Sequence, residues 1–281
     1  LLAFQSLKGG EPWIECHLVE DVIPPGRGQL HSRRATPLTS SSQMAMISPM
    51  RYPGGKGKCY QHIINILPPH DTYIETHLGG GAVLRHKKPA SNSIGVDLDP
   101  DVIRNWRRLF PSLASYVEAD AVEFLASWHF FGDELVYCDP PYLSSTRRRA
   151  RVYRHDYSTA DHERLLGVLI KLPCRVVVSG YPSELYEECL AGWGAKIFMA
   201  KTHIDFRQEK LWFNFEAPKR LHDPRHLGDD FRERQTIKRR LQRLQRRITT
   251  LSSPERHVLS EWLDDLLQEK DENAGFPLLE G

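Results

Sequence analysis

Between residues 71 and 139, short apolar runs alternate with amphipathic stretches in a regular order. Thr72, Tyr73, Ile74 and Glu75 form a β-rich run that leads into Gly79, Gly80 and Gly81, after which Ala82, Val83 and Leu84 open a helix. A second strand is predicted over Ser93, Ile94, Gly95, Val96 and Asp97. Asp99 then caps a helix with Pro100 in its first turn, a favoured start because proline lacks the N–H that a first turn leaves unpaired. Val102, Ile103, Trp106, Leu109 and Phe110 fall on one face of that helix. A third strand is predicted over residues 116–120, a helix over 121–128, and a fourth strand over Leu135, Val136, Tyr137 and Cys138, closed by Asp139.

Further along, residues 161–172 read as a helix, the β-branched run 175–179 as a strand and 211–215 as an edge or hairpin strand. Strand and helix alternating in this way imply an α/β fold with a doubly wound, mostly parallel sheet. The tails are patterned differently. Residues 24–43 are rich in Pro, Gly, Ser, Thr and Arg with hardly any apolar periodicity, and no Met occurs before Met44. Residues 1–43 are therefore expected to be a flexible leader, or sequence upstream of a start at Met44, Met46 or Met50, with folded structure beginning near Arg51. At the other end, Ile237, Leu241, Leu244, Ile248 and Leu251 repeat at four- and three-residue spacing. Ser253 and Pro254 open a second amphipathic helix carrying Val258, Leu259, Trp262, Leu263 and Leu266. A helical hairpin docked on the core is the expected arrangement, with duplex contact by its arginine face and a dimer seam as alternatives. The domains are thus a leader (1–43), an α/β domain (44–218) and a basic helical extension (219–281).

Composition narrows the class. The formal net charge is +2, so any surface for nucleic acid must be local. Five cysteines form no CxxC pair or zinc spacing, which predicts no metal and suits a reduced, cytoplasmic setting. No apolar stretch approaches a membrane span, so a soluble protein is expected.

The candidate chemistry lies at the strand ends. Asp139, Pro140, Pro141 and Tyr142 follow the fourth strand, where open α/β sheets bind ligands. A carboxylate, a rigid turn carbonyl and an aromatic ring there suit an exocyclic amine on a flat base, although Asp-Pro-Pro alone is also an ordinary turn. The glycines after the first strand let backbone approach a ligand, and Asp97, about twenty residues on, stands where a carboxylate can accept ribose hydroxyls. With Asp120 as a third strand-end acid, the set points to an adenosyl ligand. The glycines are not Gly-x-Gly-x-x-Gly and no Walker lysine follows, so NAD and ATP drop back. Tyr52 and Lys56, in the Gly-Gly-Lys segment ahead of the first strand, suit a ligand carboxylate such as the methionine end of S-adenosyl-L-methionine. Arg147, Arg148, Arg149, Arg151 and Arg154, with Tyr153, form a basic loop after Tyr142 that suits phosphates and an opened base pair.

In this order (Gly-Gly-Lys, glycine loop, Asp-Pro-Pro-Tyr) the chain resembles the Dam-like D12 class of DNA adenine-N6 methyltransferases, in its short phage-type form. The resemblance covers residues 51–215. It implies a Rossmann-like methyltransferase fold, S-adenosyl-L-methionine as cofactor, double-stranded DNA as partner, and a bacterial or phage-infected host cell as the setting. It also implies a monomer, with a weak dimer as the alternative. Carried over by position, it implies Asp139, Pro140 and Tyr142 as catalytic residues. Tyr52, Lys56, Glu75, Gly79, Gly81, Asp97, Asp120 and Asp139 would hold the cofactor. Two departures stand out. Thr76 and His77 replace the Pro and the Phe or small residue usual in the class. The stretch 121–138 leaves no room for an inserted target-recognition domain, so no recognised sequence is implied. The neighbouring readings are an RNA or cytosine-N4 methyltransferase and a catalytically silent DNA-binding relative.

Overall fold

The computed structural model describes residues 55–57, 59–146, 154–201 and 206–272. The leader, Tyr52, Arg147, Arg148, Arg149, Arg151 and Tyr153 lie outside the described residues. In chain order the elements are α1 (Tyr60–Ile64), β1 (Thr72–Glu75), α2 (Ala82–His86), β2 (Asn92–Asp97), α3 (Pro100–Leu109), β3 (Ser115–Glu118), α4 (Ala121–Ser127) and β4 (Glu134–Cys138). They continue as α5 (Thr159–Leu169), β5 (Arg175–Gly180), α6 (Glu184–Cys189), β6 (Gly194–Lys201), β7 (Phe206–Phe213), α7 (Phe231–Thr249) and α8 (Ser253–Glu272).

The seven strands form one sheet in the order β3-β2-β1-β4-β5-β7-β6. β1 to β5 pair in parallel, while β7 runs antiparallel between β5 and β6. This is the expected doubly wound, Rossmann-like arrangement. The chain steps outward from β1 through β2 to β3, then returns to place β4 on the other side of β1. That reversal opens a crevice at the C-terminal ends of β1 and β4, the switch point where such sheets bind ligands.

The burial pattern explains why the strand runs are apolar throughout. All five residues of β4 are buried, as a parallel strand covered on both faces requires. Ile74, Val136, Cys138, Val176 and Val178 join one core with Phe124 and Leu125 of α4 and Leu165, Leu166 and Leu169 of α5. The residues alternating with them (Tyr73, Leu135, Tyr137, Val177) are buried as well. The predicted start of α3 holds to the residue, although the helix ends at Leu109, one short of Phe110: Asp99 accepts from the Asp101 N–H at 2.9 Å, Pro100 sits in the first turn, and Trp106 is buried.

Two expectations need correction. The last strand is longer than 211–215 and takes the hairpin reading, not the edge one: β7 spans Phe206–Phe213 and lies inside the sheet, because β6, unpredicted from the sequence, pairs antiparallel along its whole length. Asn214 has already left the strand, and its side chain takes over the pairing by accepting from the Val176 N–H at 2.7 Å. The terminal helices, expected to dock on the core, do not do so. No residue of α7 is buried, and Leu241, Leu244, Val258, Trp262, Leu263 and Leu267 are all exposed.

Candidate active site

β4 delivers Asp139 to the crevice, with its side chain 16% exposed. Lys56 Nζ donates to both of its carboxylate oxygens, at 2.6 and 2.7 Å, and the Ser179 hydroxyl at the end of β5 donates to Oδ1 at 2.8 Å. The same ammonium donates to the Tyr142 hydroxyl at 2.5 Å and lies 4.8 Å from the centre of that ring. Glu209 of β7 completes the group, with Oε2 3.9 Å from Lys56 Nζ. That oxygen is buried and accepts no hydrogen bond among the described residues. Burial works against the Lys56 ammonium, but Asp139 and Glu209 outweigh it and hold its pKa well above the usual lysine range. Burial pushes the Glu209 carboxyl upward, and Lys56 opposes that push. Tyr142 is buried, meeting Tyr181 edge-on with ring centres 4.4 Å apart.

The glycine loop forms a second group beside the first. Gly79 and Gly81 take left-handed backbone, φ 41° and 50°, which a side chain would strain. The Gly79 N–H donates to Asp97 Oδ2 at 2.8 Å, and the Asp99 N–H to Oδ1 at 2.9 Å. Trp106 Nε1 donates to the Gly79 carbonyl at 2.9 Å, so α3 supports the loop from below. A Cβ on Gly81 would lie 2.3 Å from the Trp106 ring. Burial raises the Asp97 carboxyl above its ordinary pKa, with both backbone donors pulling the other way.

Glu75 works beneath the loop. Its Oε2 accepts from the Tyr73 hydroxyl at 2.9 Å and from the Leu84 N–H at 3.0 Å, tying the end of β1 to α2. Burial pushes this carboxyl up to about 8. Asp120 caps α4, accepting from the Val122 N–H at 2.9 Å, and its neighbour Ala121 faces the cleft.

Between its walls the cleft encloses only about 50 Å³ before it opens to solvent, below the range of preformed small-molecule sites. Asp97 and Asp139 line it together with Thr76, His77, His155 and Tyr157. Thr76 and His77, the two departures noted in the sequence, form a chain of hydrogen bonds in its wall. The Thr76 hydroxyl donates to Cys138 Sγ at 3.0 Å and so must accept from His77 Nδ1 at 2.9 Å. His77 Nε2 is then free to accept from the Tyr157 hydroxyl at 3.1 Å. Burial pushes the His77 pKa down to about 3, which matches this neutral ring.

The structure therefore brings Asp139, Tyr142 and Lys56 into one cluster, and Gly79 and Asp97 into another on the same cleft. Glu75 and Gly81 sit behind the loop. Arg154, the described member of the basic loop, meets Asp99 Oδ2 at 3.1 Å and Asp101 at 2.9 Å. Sequence reading passed over Glu209 and His155, and gave no task to Ser179. Glu209 gave no local signal, because it stands in the polar run Arg207, Gln208, Glu209 and Lys210 of β7. Among the described residues, no group of His, Cys, Asp and Glu is arranged to hold a metal ion, and no helix is long and apolar enough to cross a membrane.

The sequence matches no family model and no curated protein. Solved structures with a similar course of chain include an rRNA methylase from Streptococcus thermophilus, at 10% identity over 55% of this chain and 93% of that one, TM-score 0.38. A magnesium protoporphyrin IX methyltransferase from Synechocystis PCC 6803 with bound SAM is 12% identical over 56% of this chain and 75% of that one, TM-score 0.37. TrmK of M. capricolum with S-adenosyl-homocysteine is 6% identical over 75% of this chain and 96% of that one, TM-score 0.39. Likeness this loose adds nothing to what the sheet order itself establishes.

Proposed function

We propose that this chain is an S-adenosylmethionine-dependent methyltransferase acting on the exocyclic N6 amine of adenine in DNA. The observation that carries the reading is Asp139 at the end of β4, sharing one cleft with Asp97 at the end of β2. The residues present suit the cofactor. Asp97 lies against the glycine loop, where a carboxylate can accept ribose hydroxyls, and the loop backbone leaves room for close approach. When bound, S-adenosylmethionine supplies an electrophilic sulfonium methyl.

The rest of the chemistry belongs to the chain. An adenine amine is a weak nucleophile because its lone pair is delocalised into the ring. Asp139 and the Pro140 carbonyl accept its two N–H groups, favour the tetrahedral nitrogen and aim its lone pair. Being fixed beforehand, they need no reorganisation during transfer. The amine would take the methyl that the cofactor gives up, and the proton lost by the alkylated nitrogen would pass by way of Asp139 to water. Tyr142 would offer a stacking face to a base swung out of the duplex, an interaction worth roughly 1–3 kcal/mol, once its buried ring is uncovered from Lys56 and Tyr181.

Lys56 holds both Asp139 oxygens and so fixes the carboxylate that receives the amine, while Oδ2 keeps a second acceptor site for the incoming N–H. Glu209 Oε2, 3.9 Å from Nζ, is the second carboxyl beside the ammonium.

The test is incubation with labelled S-adenosylmethionine and unmethylated duplex DNA, followed by mass spectrometry of the digested nucleosides. N6-methyladenine is the expected product. N4-methylcytosine, or label appearing only when RNA is supplied, would overturn the substrate assignment. Cofactor binding without any product would overturn the catalytic one.

A further inference from the structure

The terminal helices present apolar surface that the described residues do not cover. Leu244 on α7 is 46% exposed, and Trp262 and Leu267 on α8 are 56% and 64% exposed, on a chain whose sheet core is closed. Patches of this kind mark interaction sites. At 100° per residue, Ile237, Leu241, Leu244 and Ile248 fall in one narrow stripe of α7. On α8 the apolar positions from Val258 to Leu267 sweep about half the circumference. A stripe that wide is more than one neighbouring helix can cover. It fits a helix with two neighbours, as in a four-helix bundle.

Charge says which neighbours. α7 reads FRERQTIKRRLQRLQRRIT and is strongly basic, whereas α8 reads SPERHVLSEWLDDLLQEKDE and is acidic. Copies of α7 repel one another, and so do copies of α8, but each suits the other. Two copies of the pair related by a two-fold axis place α7 of one chain beside α8 of its partner, so both stripes are buried and opposite charges flank them. Nucleic acid does not satisfy an apolar stripe. Arg239, Arg243 and Arg246 lie on the opposite side of α7, and a bundle leaves them outward. The root of α7 is fixed to the body of the chain: Asn65 donates to the Gly228 carbonyl at 3.1 Å, and Lys196 meets Asp229 at 2.7 Å.

We propose that α7 and α8 form a homodimerisation module in which two copies of this chain assemble a four-helix bundle. The inference goes beyond the methyltransferase reading and stands whatever the substrate.

Light scattering on the full chain after gel filtration tests it. The expected mass is twice 32.4 kDa, and Leu244→Glu combined with Leu263→Glu returns it to 32.4 kDa with unchanged circular dichroism. Both positions are open in the single chain, so the exchange leaves its core intact. Should the double variant lose helix content, Trp262→Gln alone must weaken the dimer by at least about tenfold in sedimentation equilibrium. A wild-type chain that stays at 32.4 kDa from low micromolar concentration upward, with or without DNA, overturns the proposal. So does a dimer of undiminished affinity in the variants.

Discussion

Asp139 follows directly on β4 and Leu244 lies within α7, yet their surroundings are opposites. At the sheet's C-terminal edge three acids are tied down: Lys56 and Ser179, from distant parts of the chain, hold Asp139, backbone N–H groups hold Asp97, and Tyr73 and Leu84 hold Glu75. On the terminal helices, large apolar side chains face solvent and the charges are sorted by sign, one helix basic and the next acidic. The first region is finished within one chain, as a site that must hold a fixed geometry requires. The second is an apolar surface that the described residues leave open, the basis of the proposed dimer.

The sharpest way to break this contrast is at its catalytic end. Asp139→Ala is expected to reduce methyl transfer by at least about a thousandfold while cofactor binding, followed by calorimetry, stays close to wild type. Loss of cofactor affinity with an unchanged transfer rate would make Asp139 a structural acid. Gly81→Ala tests how rigidly the loop is built. Left-handed backbone and the Trp106 ring both oppose the new methyl, and the expected loss is about 1–3 kcal/mol in urea unfolding.

Glu75 sharpens the comparison through pH. Its folded-state pKa of about 8 lies above the ordinary carboxylate value, so the folded state holds a proton that the unfolded chain gives up. The stability this contributes is fully present at acid pH and is lost as pH rises from the ordinary carboxylate range through about 8. Glu75→Gln keeps an acceptor for Tyr73 and Leu84, and is expected to flatten that slope in thermal unfolding followed between pH 5 and 9. An equally steep decline in the variant would assign the slope to another group. The smallest effect belongs to the helices: Leu244→Glu is expected to change the chain's own unfolding free energy by no more than about 0.5 kcal/mol, measured at concentrations below dimer formation.

Much of the sheet was legible beforehand because its signals are local. The β1 run ends in glycines, Asp99 and Pro100 start α3, and a fully apolar run announces β4. Each depends on residues a few positions apart. The candidate site was legible in part for the same reason, since Asp97 and Asp139 each end a strand. The hydrogen-bond partners that define the site could not be read this way. Glu209 reaches Lys56 only because β7 inserts antiparallel between β5 and β6, and β6 carries no strong alternation of its own. Likewise, the terminal helices were identifiable from their spacing, but their lack of a docking surface on the core was not.

The sequence by itself determined β1 to β5, the helices α2 to α5, α7 and α8, and which side chains stand at the strand ends, because periodicity and caps act over one or two turns of chain. Tertiary structure alone decided the order of the strands, the pairing of Lys56 with Asp139 and Glu209, and the exposure of the seam on α7 and α8. Those outcomes depend on which distant segments become neighbours in the sheet, a choice made by packing and strand register that no local pattern encodes.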